Sequence, residues 1–126
     1  MPKYYGSKNR KNLPLSYNQS TSLITTFSEN EIASGQWTAA GFLLKSGSSI
    51  SKRDSLRSNF GVVKIWLELK KDKLFIENGS DYYILKEDIY LPSASAAARL
   101  VHGNDRNGLT NWRNSDGIPL GNLLYQ

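Results

Sequence analysis

A chain of 126 residues, 39% hydrophobic and 21% charged, has the size of one domain and the apolar content for one core. It has no cysteine and a single histidine, which excludes disulfides, thiolate metal sites and thiol nucleophiles and leaves one imidazole for any acid–base chemistry. The net charge of +5 favours a polyanionic partner over a cationic one.

The chain opens with Lys3, Lys8, Arg10 and Lys11, a run of cations with no acid among the first nineteen residues. No apolar period runs through residues 1–20, which are expected to form a basic flexible arm, with Leu13, Leu15 and Tyr17 placed to dock on the body. Residues 21–126 are then a single α+β binding domain. No secretory h-region follows Met1, and no apolar run approaches the length of a membrane span, so a cytoplasmic protein with no membrane partner is expected.

Leu23–Phe27 is β-branched and aromatic and predicts a strand. Glu29–Ser34 is polar and is expected to turn. Gln36–Lys45 suits two short strands, or one bent strand, with Gly41 at the bend; Ser46–Ser49 forms a turn before Ile50 and Ser51. Over 54–71 the period changes: Leu56, Phe60, Val63 and Leu67 recur at three or four residues and predict a helix, capped by Asp54 or Ser55. Asn78-Gly79 between Leu74–Glu77 and Tyr82–Leu85 predicts a hairpin. Ile89–Leu91 is a further strand ending at Pro92. A serine then caps an Ala-rich helix, Ala96–His102, stopped by Gly103. The fold class is α+β, a small antiparallel sheet with two helices.

Two stretches carry more than local structure. The first is Gly35-Gln36-Trp37-Thr38-Ala39-Ala40-Gly41-Phe42-Leu43-Leu44-Lys45-Ser46-Gly47-Ser48. The second runs from Ser93-Ala94-Ser95-Ala96-Ala97-Ala98 through Asn107-Gly108, Trp112 and Asp116-Gly117 to Leu120. Together, over roughly residues 35–124, they resemble a small domain of unknown function often appended to GIY-YIG nucleases and other restriction-associated proteins. They are also similar to the related restriction-enzyme-and-adenine-methylase-associated domain. The resemblance implies an α+β domain that binds DNA, including modified DNA, beside nuclease or methylase modules. This chain has Leu109 where the family places an aromatic residue, and no nuclease domain lies within its 126 residues.

The residue chemistry points to recognition without catalysis. His102 sits at a helix end, where it suits exposed carbonyls better than a nucleophile. No acidic spacing matches a metal loop and no phosphate-cradling glycine loop is present, so no metal or cofactor is expected. Asn107 can pair with adenine and Trp112 can stack on a base, while Arg99, Arg106 and Arg113 can meet guanine or phosphate. Ser93 and Ser95 at a helix N-terminus suit a phosphate oxygen. Lys45, Lys52 and Arg53 flank the Ser46–Ser51 loop and, with Lys8, Arg10 and Lys11, can add backbone contacts. Each has a structural alternative: Asn107 as a turn, Trp112 as a core anchor, the serines as caps.

Three functions follow from these groups. The first is a non-enzymatic nucleic-acid-binding module, a reader of DNA or modified DNA linked to restriction or phage defence. The second is a phage-type binder that sequesters a small cyclic nucleotide, with a deep pocket at a homodimer interface. The third is a protein-interaction domain that inhibits a nuclease.

Overall fold

The computed structural model describes residues 2–28, 31–52 and 62–125. Within them the chain builds two sheets, one of five strands and one of three, antiparallel apart from one parallel pair, and four helices. The α+β class holds. One expected sheet becomes two, and two short C-terminal helices join the two expected ones.

The larger sheet is assembled from β1 (Lys3–Tyr4), β2 (Leu23–Ser28), β3 (Glu31–Thr38), β4 (Gly41–Leu44) and β8 (Ile89–Leu91), in the order β1-β8-β4-β3-β2. Leu23, Ala33, Trp37, Phe42, Leu44, Ile89 and Leu91 are buried. Period-2 alternation turns them all to one face. The expected turn over Glu29–Ser34 is corrected here: Glu31–Ser34 opens β3 and pairs with β2. Its inward residues, Ala33 and Gly35, are small, so the alternation lacked the large apolar side chains that signal a strand.

The smaller sheet holds β5 (Ser49–Ser51), β6 (Phe75–Asn78) and β7 (Tyr82–Leu85), in the order β5-β7-β6. Its β6–β7 pair is the hairpin expected around Asn78-Gly79. Helix α1 (Val62–Lys71) packs on it: the Trp66 ring lies 5.4 Å from Phe75, and its indole N–H donates to the Ser51 carbonyl at 3.2 Å. The apolar face of α1 is Val62, Ile65, Trp66 and Leu69. Asp54, Ser55, Leu56, Phe60 and Gly61, which the sequence placed in the same helix, lie outside the described residues, as does Arg53.

Helix α2 (Ala94–His102) lies against both sheets and α1. Alanine favours helix, and the small buried Ala94, Ala96, Ala97 and Ala98 let it approach the strands closely. Gly103 ends it in the left-handed region (φ 74°) and donates its N–H to the Arg99 carbonyl. Two short helices follow, α3 (Gly108–Asn111) and α4 (Leu120–Leu124).

The N-terminal segment expected to be a flexible arm is tied to the body in three places. Strand β1 pairs in parallel with β8. Tyr5 is buried, and its hydroxyl donates to Asp72 at 2.5 Å, beside the Lys3–Asp72 ion pair at 2.9 Å. Further on, the Lys11 N–H donates to the Ala39 carbonyl and Tyr17 is buried. Leu13 also packs on the core, whereas Leu15 is fully exposed. A two-residue strand and isolated aromatic anchors leave no period to detect, which is why the sequence suggested an arm. Among the described residues no helix is long and apolar enough to cross a membrane.

Candidate nucleic-acid interface

The residues of the specific motif meet where α2 crosses α3. Ser93 is the N-cap of α2, and its Oγ accepts from the Ala96 N–H at 3.0 Å. One turn on, Ser95 Oγ accepts from the Gly108 N–H at 2.9 Å. Here the backbones nearly touch: a Cβ on Gly108 would lie 2.3 Å from the Ala94 carbonyl carbon. Only glycine fits. Asn107 caps α3, its Oδ1 accepting from the Leu109 N–H at 2.9 Å. The Trp112 indole N–H donates to the Ala94 carbonyl at 2.9 Å, and its ring packs 4.5 Å from Phe42.

Trp112 is therefore corrected from ligand contact to core. It is wholly buried, so neither face of the indole is open to a base. Ser93 and Ser95 keep their helix positions with their hydroxyls engaged by backbone N–H groups, and Asn107 spends its carbonyl oxygen on a cap.

Three open clefts lie around this junction. One of about 660 Å³ is bordered by Gly6, Ser7, Lys64, Ser93 and Arg99. A second, of about 390 Å³, is lined by Ser95, Arg99, Asp105, Arg106 and Asn107. The third, of about 330 Å³, holds Thr25, Asn111, Arg113 and Asn114. Arg99 belongs to both of the first two. His102 links the second to the third, since its Nε2 meets Thr25 Oγ1 at 2.9 Å while the Arg106 charge acts on its ring. The structure thus brings together Ser93, Ser95, Arg99, Arg106 and Asn107, with Arg113 beyond His102.

Burial, and secondarily the Arg106 charge, push the His102 imidazole down to about 4. It is neutral at neutral pH. Its bond to Thr25 joins α2 to β2, and at the helix end the Gly103 N–H meets the Arg99 carbonyl.

The cations differ in what holds them. Arg99 Nε donates to Asp105 at 3.1 Å. Arg106 is exposed and, among the described residues, donates to a neutral oxygen, Asn104 Oδ1, at 2.7 Å. Arg113 is exposed too, its Nη1 fixed by the Gly117 carbonyl at 3.0 Å and its backbone bridged to Ile24. Lys64 on α1, which the sequence reading passed over, borders the largest cleft with no carboxylate partner among the described residues. Only the fold carries it there, because Lys64 is far from the motif along the chain.

Lys45 and Lys52 each have a carboxylate partner within the fold. Lys45 pairs with Asp88 at 3.3 Å. Lys52 pairs with Glu77, donates to the Gly79 carbonyl at 2.7 Å and lies over the Tyr83 ring. Lys8 and Arg10 are exposed and Lys11 is half-buried. A fourth cleft, of about 610 Å³, mixes Lys3 and Lys86 with Asp72, Glu87 and Asp88 and offers an anion no net attraction. No group of three or more acidic or histidine side chains able to hold a metal gathers among the described residues.

Residues 24–124 match the family model described as a domain of unknown function (DUF4357). No curated protein and no solved structure matches the chain. The family match names no nuclease and no restriction-associated domain.

Proposed function

The chain belongs to the DUF4357 family of domains of unknown function, and on that premise we propose that it is a non-enzymatic module that binds nucleic acid along the outer rim of the α2–α3 junction. The observation that carries this reading is the set Lys64, Arg99, Arg106 and Arg113, which line three clefts, two of them joined at Arg99. Lys64, Arg106 and Arg113 have no carboxylate partner among the described residues. Such cations exchange condensed counterions for phosphates, which gives binding a strong dependence on salt.

Two further points support the same reading. The clefts are open and two of them share Arg99, which suits an extended backbone; a small nucleotide is better held in an enclosed pocket that buries most of its surface. The sequence likeness to domains beside GIY-YIG nucleases and restriction–methylation proteins also favours DNA as the partner, in a restriction or phage-defence setting.

The test is fluorescence anisotropy with labelled DNA. Lys64→Ala and Arg106→Ala should each weaken binding about five- to tenfold at moderate salt, whereas Lys45→Ala and Lys52→Ala should leave it unchanged. Wild-type protein that binds no DNA at low salt would remove the proposal.

A further inference from the structure

We infer that the ligand of this rim is the phosphate backbone of a duplex, held without regard to base sequence. The inference rests on the nucleic-acid reading above and narrows it to one class of ligand.

Proteins that hold single strands lay successive bases on aromatic faces. Among the described residues Trp37, Trp66 and Trp112 are all buried, as is Phe42. Phe75 and Tyr83 stack on each other at 4.7 Å. Of the three clefts one has an aromatic residue in its lining, Tyr4, whose hydroxyl is buried and whose ring stacks on Tyr90 at 5.9 Å. A single strand would find no ladder of rings here.

Bidentate reading of adenine needs both the oxygen and the nitrogen of an amide. Asn107 Oδ1 is occupied by the Leu109 N–H, and Asn114 Oδ1 by the N–H groups of Asp116 and Ile118. The amides on this face are turn and cap formers first.

A recognition helix must stand proud of the body to enter a major groove about 12 Å wide. Helix α2 is embedded: Ala94, Ala96, Ala97, Ala98, Leu100 and Val101 are buried. Ser95, Arg99 and His102 face outward and are themselves half-buried. What remains is a set of cations supplied by α1, α2, the loop after α2 and the Arg113 bridge. Such a set meets phosphates, and phosphate contacts position a protein without specifying sequence.

The experiment uses the intact chain and fluorescein-labelled probes: two mixed-sequence duplexes of about 20 base pairs and their separated strands, between about 50 and 200 mM salt. The two duplexes should bind within about twofold of each other, and the separated strands at least about tenfold more weakly. The slope of log K against log salt should lie near −3, for about three to four phosphates. Lys64→Ala and Arg106→Ala should each reduce its magnitude by about one, at unchanged melting temperature. Strands that bind as tightly as the duplexes, or more than about tenfold discrimination between the two duplexes, would overturn this inference and leave nucleic-acid binding standing. Slopes unmoved in both variants would overturn it as well. Binding to none of the probes overturns the inference and the proposed function together.

Discussion

The two sides of the α2–α3 junction are built on different principles. The inner side is a knot of Ser93, Ser95, Gly108 and Trp112, in which each polar group is matched by a partner and one backbone passes within touching distance of another. The outer side is a rim of cations, most held only by neutral oxygens or by nothing among the described residues. The recognisable motif belongs to the knot. Its residues make the platform, and the groups available to a ligand are the less patterned arginines and lysine around it.

Mutations separate the two sides. Trp112→Ala should have the largest effect on folding, about 3–5 kcal/mol, because it empties the space beside Phe42 and strips the Ala94 carbonyl of the indole donor. Denaturant titration followed by Trp fluorescence measures it; a loss under about 1 kcal/mol would place the indole outside the core. Ser95→Ala should come next. It leaves the Gly108 N–H without its acceptor at a crowded contact, at a cost of about 1–3 kcal/mol.

The pH dependence of stability probes the hinge between knot and rim. His102 is held down to about 4 in the fold, against an ordinary value of 6.5. As pH falls below 6.5 the unfolded chain takes up this proton first, so the His102 contribution to stability is intact above 6.5 and lost as pH falls through about 4. His102→Gln, which retains a partner for Thr25, should flatten the melting temperature over that window. An unaltered profile would show that the imidazole titrates freely.

The smallest effects on stability should come from the rim. Arg106→Ala should cost no more than about 0.5 kcal/mol, the usual range for an exposed side chain. Lys52→Ala should cost about 0–1 kcal/mol, as a partly exposed ion pair does. In DNA binding their order reverses, with Arg106→Ala weakening the complex and Lys52→Ala leaving it alone. Equal effects on binding would erase the distinction between free and committed cations.

Much of the fold was legible because local rules decide it. Asn78-Gly79 turns a hairpin, Ser93 caps α2, and Gly103 ends it, each through contacts a few residues apart. The first part of β3 was missed because Ala33 and Gly35 are too small to mark an inward face. The N-terminal anchors were missed because Tyr5 acts through Asp72, 67 residues along the chain.

The candidate site was less legible, and the cations show why. Lys45 and Lys52 look as available as Lys64 until Asp88 and Glu77 are seen beside them. An indole serves a core or a base equally well, and the distant carbonyl of Ala94 settles which. Charge can be counted along a chain; whether a charge is free is a property of its neighbours in space.

The central claim is that the rim of α2 and α3, and not the lysines near the Ser46–Ser51 loop, meets the phosphates. Amide chemical-shift mapping of the intact chain titrated with a short DNA duplex tests it most directly. The claim predicts shifts concentrated at Lys64, Ser95, Arg99, Asn104–Gly108 and Arg113, with Lys45 and Lys52 unmoved. Shifts centred on the Ser46–Ser51 loop, or none at saturating duplex, would contradict it.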